Sequence, residues 1–243
     1  MNNTYLSIII PCYNEKKTII EIINQIKALK KIKKQIILID DGSNDGTRKL
    51  IKKKLLSKVD KIVFHKINKG KGAAIISSIK YIKGDLVIIQ DADLEYNPED
   101  YYGLTRKFLD SNVNVVYGSR VLGKKYFLYK NGLKKNFRVF GNFVLTLLSN
   151  ILNNQRLSDV HTCYKLFRKD LFFKLQLQEN DFAFCPEVTT KLSLLGEEIF
   201  EVPISYNGRE YKDGKKINFF DAIIAFKTII KYRFFNKKNF NFF

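Results

Sequence analysis

Short apolar runs alternate with helical stripes along the first half of the chain, and the runs predict buried strands at 5–10, 35–39, 61–64, 85–90 and 114–117. Residues with helical periodicity between them predict helices at 17–30, 47–55 and 72–82. Asn97 followed by Pro98 marks the start of another helix. Strands and helices that alternate with short connections are typical of a doubly wound sheet. The predicted fold class is therefore α/β, with an open, mostly parallel, Rossmann-like sheet, helices on both faces and a C-terminal helical appendage.

The pattern changes after Ser119. The second half predicts an apolar helix around 137–152, a polar segment at 158–168, a helix at 186–195 and a strand at 199–204. Basic loops precede the first of these helices and follow the strand. Because no repeat or linker separates two independent domains, we expect one main domain.

The last stretch, 219–235, carries one apolar stripe with lysines at its flank. The stripe consists of Phe219, Ala222, Ile223, Phe226, Ile230 and Phe234. Such a stripe faces either a core or a membrane surface, and both interpretations are open; the basic, Phe-rich ending favours the membrane. We expect a main domain at 1–218 and a C-terminal amphipathic basic helix and tail at 219–243.

Two acids follow a predicted buried strand at Asp91-Ala92-Asp93. Side chains two positions apart on an extended backbone point the same way, and Mg²⁺ and Mn²⁺ prefer carboxylate oxygens. A cation held there would bind the diphosphate of a nucleotide donor and neutralise it as it leaves.

Two further predicted strands end in polar residues, at Pro11-Cys12-Tyr13-Asn14-Glu15 and at Asp40-Asp41-Gly42-Ser43. Ligands of open parallel sheets bind outside the carboxyl ends of the strands, at a topological switch point. We therefore expect the three strand ends to converge on one crevice. This arrangement indicates a nucleotide-dependent transferase.

The composition is strongly basic, with 43 Lys and Arg against 24 Asp and Glu and a net charge of +19. A nucleic-acid-binding protein concentrates its charge on one face or arm, whereas the lysines here are spread along the whole chain. We therefore expect no nucleic-acid partner. The charge suits phosphorylated substrates and an anionic membrane surface.

Three cysteines without a close pair and two histidines do not form a recognisable zinc site. This usage is typical of a reducing cytosol. We see no basic-then-apolar leader before the first strand and no apolar run of the roughly 20 residues that a membrane span needs. The expected location is the cytoplasm, peripheral on the cytoplasmic face of the membrane.

In order and spacing, the polar segments resemble those of the family 2 glycosyltransferases of GT-A fold. Specifically, they resemble the branch that comprises dolichol-phosphate mannose synthase and the polyprenyl-phosphate glucose synthases. The segments that carry the resemblance are 10–15, 40–47, 68–72, 91–95 and 118–120. The likeness continues more loosely through 159–168 and 208–216. It implies that residues 1–218 form a GT-A catalytic domain.

The resemblance also implies roles for single residues. The implied donor-binding residues are Pro11, Tyr13, Glu15, Asp40, Asp41, Asp91, Ala92, Arg209 and Lys216. The implied ligands of Mg²⁺ or Mn²⁺ are Asp91, Asp93 and Glu95. The implied catalytic residues are Asp93, Arg120, Arg138 and Asp159. Arg forks match phosphate oxygens in charge and geometry, which agrees with the arginines in these sets.

Absent motifs favour a phosphate acceptor. A sugar hydroxyl needs a positioned carboxylate base, and processive polysaccharide synthases of similar type add a QxxRW motif. This chain has no Trp, and its Glu99-Asp100 pair is explained by the helix that starts at Asn97. A phosphate monoester, with a second pKa of about 6, is largely ionised and needs no base. We give Asp159 an orienting role, with helix capping or burial as its alternative, and His65 and His161 structural roles.

The sequence thus predicts a metal-dependent inverting glycosyltransferase. It would move mannose from GDP-mannose, or glucose from UDP-glucose, to a polyprenyl or dolichyl monophosphate at a membrane surface. One alternative is a glycosyltransferase that acts on a soluble or cell-envelope glycan. More distant alternatives are a nucleotidyltransferase and a basic nucleic-acid-binding module.

Overall fold

A seven-stranded sheet forms the centre of the protein in the computed structural model. The structure describes residues 4–110, 112–122, 133–209 and 219–235, without the side chains of 133–139 and 219–221. The strands are β1 (Tyr5–Cys12), β2 (Lys33–Asp40), β3 (Lys61–Phe64), β4 (Leu86–Ile89), β5 (Val115–Ser119), β6 (Lys165–Arg168) and β7 (Ile199–Pro203). Their spatial order is β3-β2-β1-β4-β6-β5-β7. Strand β6 is antiparallel to β4 and β5, and the other pairs of neighbours are parallel.

Helices surround the sheet. They are α1 (Ile19–Ala28), α2 (Thr47–Lys54), α3 (Lys71–Ser78), α4 (Tyr101–Arg106), α5 (Leu133–Asn153), α6 (Lys169–Lys174), α7 (Phe184–Leu194) and α8 (Phe219–Ile230). Short 3₁₀ turns flank α4, and a π-helical segment, Lys231–Phe235, follows α8. At the start of the first turn, the Asn97 side chain accepts a hydrogen bond from the Glu99 amide, as its position before Pro98 predicts.

The central strands bring their carboxyl ends to one level. Ile8, Ile9 and Ile10 of β1 are fully buried, as continuous apolar runs in a parallel sheet require. In the register of β1 and β2, Cys12 lies opposite Asp40. The chain therefore leaves both strands at the same edge of the sheet, and the predicted α/β fold class is confirmed.

One strand was missed by the hydrophobic pattern. Residues 158–168 read as a polar segment, but Lys165–Arg168 forms β6 between β4 and β5. Leu166 and Phe167 are fully buried there, while the Lys165 ammonium donates to the carbonyls of Val160 and Thr162. Because this core strand begins with a buried lysine that is paired with backbone oxygens, its sequence pattern resembles that of a polar loop.

Helix α8 contacts α5 and α7. Ala225 and Ile229 of α8 and Tyr232 of the π-helical segment are buried. The predicted boundary between residues 218 and 219 falls beside the undescribed segment 210–218, so the division into two parts stays a prediction. In the described part of the chain, we find no helix that is both long and apolar enough to cross a membrane.

The start of α3 packs directly on the chain at residues 179–181. The backbone turns into α3 through Gly70, which has a φ of 97°. A Cβ on Gly72 would lie 1.9 Å from the Glu179 carbonyl oxygen, which is closer than atoms can approach. Gly70 therefore allows the turn, and Gly72 allows the close approach between the two backbone segments.

Gly72→Ala should lower the free energy of unfolding by about 1–3 kcal/mol, because the added methyl forces two backbones apart. Urea unfolding followed by circular dichroism measures the change. Gly103→Ala is the matched control, since its Cβ in α4 would meet no described atom within 4 Å, and it should be neutral or slightly stabilising. Equal stability of the two variants would contradict the close packing.

Candidate functional site

The loops that follow β1 and β2 are joined by hydrogen bonds. The Asn14 amide donates to the Ser43 hydroxyl oxygen at 3.0 Å, and the Asn44 amide donates to the Asn14 side chain at 2.9 Å. Asn14 adopts a left-handed φ of 53°, a conformation that Asn tolerates better than most residues. The two strand ends thus form one rim of a common site.

Asp40 and Asp41 are buried at this rim and have internal partners. Asp40 pairs with the Arg48 guanidinium at 2.5 Å. Asp41 accepts the Gly70 amide at 2.8 Å and lies 2.6 Å from Nδ1 of His65. These contacts fix the loop at the start of α3. Contact of Asp40 and Asp41 with the donor stays a prediction, and so does the structural role expected of His65.

Lys71 connects α3 with the end of β4. Its ammonium lies 2.5 Å from Asp91 Oδ1 and 3.2 Å from Cys163 Sγ. Burial alone would lower the pKa of Lys71, but the charge of Asp91 raises it well above the ordinary value. Lys71 therefore stays charged beside the first acid of the Asp91-Ala92-Asp93 segment.

Arg209 gathers three carboxylates from separate parts of the chain. Its guanidinium lies 3.1 Å from both oxygens of Glu15, 2.6 Å from Asp93 Oδ2 and 3.5 Å from Glu95 Oε1. Its amide also donates to Glu95 at 2.8 Å. The loop after β7 thereby closes over the ends of β1 and β4.

Negative charge is crowded at Asp93. Burial, followed by the charges of Asp91 and Glu95, raises the pKa of Asp93 to about 7, although Arg209 opposes the change. A nearby cation would stabilise the ionised form of a carboxylate in this setting. The arrangement is therefore suited to hold positive charge.

Arg120, at the end of β5, forms the other half of the site. It makes a two-pronged contact with Asp159, with Nε and Nη2 each at 2.7 Å from one carboxylate oxygen. Burial alone would raise the pKa of Asp159, but the charge and hydrogen bonds of Arg120 lower it to about 2. Glu201 of β7 accepts the amides of Ser158 and Asp159 and so holds this segment. Asp159 is therefore ionised and holds the Arg120 side chain in place, and its role in the reaction stays a prediction.

Hydrogen bonds at the start of α3 link Asp41 with the carboxyl end of β4. Asp41 binds the amide of Gly70, and the adjacent Lys71 binds Asp91, so the loop after β2 and the loop after β4 meet at the start of α3. Arg209 then joins Asp93 to the end of β1. The predicted convergence of the three polar strand ends is present in the structure.

The remaining predicted site residues lie partly inside and partly outside the described part of the chain. Pro11 and Tyr13 are half-buried at the end of β1, and Ala92 is buried between the two acids. Arg138 lies in α5, but its side chain is outside the described residues, as is the whole of Lys216. Their roles stay predictions.

Several groups at the site were not found from the sequence. Lys71, Glu201 and Tyr206 had no assigned role, although Lys71 lies in the 68–72 motif that begins α3. Arg168, the last residue of β6, donates to the Val113 and Asp110 carbonyls and so holds the chain before β5. Burial, followed by the charge of Lys165, lowers the pKa of His161 to about 4, so its imidazole is neutral.

The residues present fit a hard cation that shares its ligands with a substrate. No group of three acidic, His or Cys side chains within the described ranges is arranged to bind one ion together. Mg²⁺, however, commonly uses one or two carboxylates and completes its shell with substrate phosphates and water. Asp91 and Asp93 supply such oxygens, and Lys71 and Arg209 provide the positive charge in this structure.

Comparison with known proteins gives a consistent picture. The model of Glycosyl transferase family 2 matches residues 7–175. The chain is 26% identical over 250 residues to dolichyl-phosphate beta-glucosyltransferase ALG5A of Trichomonas vaginalis, covering 97% of this chain and 75% of that protein. It is 28% identical over 249 residues to a UDP-N-acetylglucosamine–dolichyl-phosphate N-acetylglucosaminyltransferase of Methanococcus voltae, covering 95% and 96%.

The fold has a similar solved structure. Glucosyl-3-phosphoglycerate synthase from Mycobacterium tuberculosis, crystallised with Mn²⁺, UDP and glucosyl-3-phosphoglycerate, superposes with a TM-score of 0.68 at 19% identity. The match covers 95% of this chain and 80% of that one. The likeness confirms the expected GT-A fold.

Arg209→Met should strengthen Mn²⁺ binding in the absence of nucleotide, because a cation between Asp93 and Glu95 must displace the guanidinium. We expect the Kd to fall about tenfold, or about 1.4 kcal/mol. Electron paramagnetic resonance of free Mn²⁺ measures it. Arg106→Met removes the same charge from the exposed end of α4 and should leave the Kd unchanged. If both variants bind like the wild type, Arg209 does not compete with the cation.

Proposed function

The chain belongs to Glycosyl transferase family 2, and from this premise we propose that it transfers one sugar from a nucleotide diphosphate donor to a polyprenyl or dolichyl monophosphate. The observation that carries the proposal is the pairing of a carboxylate cluster, at Asp91, Asp93 and Glu95, with a separate arginine centre at Arg120. The first suits a cation-bound diphosphate, and the second suits the phosphate of an acceptor.

The donor would bind along the ends of β1, β2 and β4. Glu15 and Tyr13 lie at the end of β1, beside the loop that Asp40 and Asp41 fix, and we assign the nucleoside to this part. The diphosphate would lie over Asp91 and Asp93. Arg209 contacts Glu15 in the nucleoside part and Asp93 in the diphosphate part. When a cation replaces Arg209 at these carboxylates, we assign the guanidinium to the diphosphate.

The acceptor phosphate would bind near Arg120. Asp159 uses both carboxylate oxygens on this guanidinium, and its pKa of about 2 makes it a weak base, so it is poorly suited to remove a proton. A phosphate monoester needs no proton removed, since its second pKa of about 6 leaves it ionised at neutral pH. The engagement of Asp159 with Arg120 therefore supports a phosphate nucleophile over a sugar hydroxyl.

The proposed reaction is a single displacement with inversion. An oxygen of the acceptor phosphate forms a new bond to the anomeric carbon of the sugar. The bond from that carbon to the donor diphosphate breaks, and its electron pair stays on the diphosphate oxygen. A bound Mg²⁺ or Mn²⁺ would neutralise the charge of the leaving diphosphate. Lys71 holds Asp91 in place, and Arg120 orients the attacking phosphate.

Glucose from UDP-glucose is the donor that we favour over mannose from GDP-mannose. The two relatives are named for the transfer of glucose and of N-acetylglucosamine to dolichyl phosphate. Carried to this chain, those names support a UDP-linked sugar of the glucose series.

Two helices offer a surface for a lipid membrane. Helix α5 exposes Phe140, Phe143, Val144, Leu147 and Ile151. Helix α8 buries Ala225 and Ile229 but exposes Ile223 and Phe226 of the predicted stripe. Of the stripe residues whose side chains the structure describes, Ile223, Phe226 and Phe234 are exposed and Ala222 and Ile230 are half-buried. This exposure supports a peripheral contact with the membrane that carries the acceptor.

Incubation of the protein with Mn²⁺, polyprenyl phosphate and single nucleotide sugars tests the proposal. We expect release of UDP and formation of a sugar-linked lipid, both dependent on metal and lipid phosphate. Asp93→Asn should lower the rate about a hundredfold or more, because several kcal/mol of charge stabilisation is lost. Asp170→Asn, at an exposed position of α6, should keep the rate.

Other products would contradict different parts of the proposal. Release of pyrophosphate would indicate a nucleotidyltransferase. Equal turnover with a soluble glycan and no lipid phosphate would show that the acceptor is wrong. Release of GDP from GDP-mannose alone would keep the reaction and change the sugar.

Phe226→Glu should weaken sedimentation with vesicles of phosphatidylcholine and phosphatidylserine by about tenfold or more, since a buried Phe contributes roughly 2 kcal/mol. Leu56→Glu is the matched control, because it makes the same charge change at a residue that is 61% exposed at the end of α2. A similar loss in both variants would show that net charge, and not the α8 surface, determines vesicle binding.

A further inference from the structure

Tyr206 contacts both halves of the site. Its hydroxyl donates to Glu95 Oε2 at 2.6 Å, and its ring lies under the Arg120 guanidinium, with 5.1 Å between Cζ and the ring centroid. Glu95 belongs to the acidic cluster, whereas Arg120 belongs to the arginine centre. Tyr206 is thus in direct contact with one group from each.

The surrounding chain holds the ring of Tyr206 in place. The Ser205 amide donates to Asp100 at 2.8 Å, and the Asn207 amide donates to the Glu95 carbonyl at 2.8 Å. The ring of Tyr96 lies edge-on at 5.2 Å between centroids. At Gly208, a Cβ would come within 2.8 Å of the Tyr206 ring, so the backbone folds closely over it.

The chemistry of the two contacts differs. Burial is the main cause that raises the pKa of Tyr206 above its ordinary value, so the hydroxyl keeps its proton and acts as a donor to Glu95. This bond occupies Oε2 and directs Oε1 toward the side where Arg209 lies. The contact with Arg120 is an attraction between a cation and a ring face, which sets the plane of the guanidinium without using its hydrogens.

We propose that Tyr206 is a positioning residue that fixes Glu95 for the cation and Arg120 for the acceptor phosphate at the same time. The inference rests on the proposed function for the roles of these two groups. It predicts that the hydroxyl and the ring of Tyr206 have separable effects. Loss of the hydroxyl affects the cation, and loss of the ring affects the acceptor as well.

Two substitutions separate the effects. Tyr206→Phe keeps the ring under Arg120 and removes the bond to Glu95, so the Kd for Mn²⁺ with UDP present should rise about tenfold while the KM for polyprenyl phosphate stays unchanged. Tyr206→Leu removes both contacts and should raise the Kd for Mn²⁺ equally and the acceptor KM severalfold. Tyr81→Phe, at the opposite edge of the sheet before β4, is the control and should change neither.

Electron paramagnetic resonance measures the Mn²⁺ Kd without turnover, and thermal unfolding shows whether each variant folds. Unchanged Mn²⁺ affinity in Tyr206→Phe would overturn the proposal. In Tyr206→Phe, a rise of both the Mn²⁺ Kd and the acceptor KM together with a lower melting temperature would also overturn it, because it would show a structural role only. If the wild type releases no nucleoside diphosphate, the proposed function fails, and the Mn²⁺ measurement on Tyr206→Phe still decides whether the hydroxyl positions Glu95.

Discussion

The balance between buried carboxylates and a few cations at one edge of the sheet is the interaction on which the site depends. The charges of Asp91 and Glu95 repel that of Asp93, and the Arg209 guanidinium, which also pairs with Glu15, offsets that repulsion. Lys71 does the same for Asp91. Parallel strands force this arrangement, because their carboxyl ends lie side by side and every polar strand end delivers its acids to the same place. Under the proposed function, a metal cation would replace a side-chain cation at these carboxylates.

The antiparallel strand β6 provides the second half of the arrangement. Because it runs opposite to β4 and β5, the residues before it, and not those after it, lie at the carboxyl edge of its neighbours. This reversal places Asp159 next to Arg120, which leaves β5 at the same edge. One reversed strand therefore brings two distant segments of the chain together and gives the arginine its partner.

Much of this could be predicted from the sequence, for physical reasons. Apolar runs that end in acids identify both the strands and the edge where they end, so Asp91, Asp93 and Glu15 are expected at one edge, where the structure places them. The strand at Lys165–Arg168 was missed because its first residue is a lysine whose charge is satisfied by carbonyls of the preceding loop. Tyr206 and Glu201 were missed because their roles depend on contacts across more than 40 residues, which no local pattern encodes. The parts played by Arg138 and Lys216 stay predictions.

The two-pronged contact between Asp159 and Arg120 has a consequence for product release. Under the proposed reaction, the acceptor arrives as a phosphate monoester with nearly two negative charges and leaves as a diester with one. Asp159 offsets part of the Arg120 charge, so the arginine holds an anion less tightly than an unpaired guanidinium would. A centre of this moderate strength retains the doubly charged substrate and lets the singly charged product depart, which favours repeated turnover at a lipid surface.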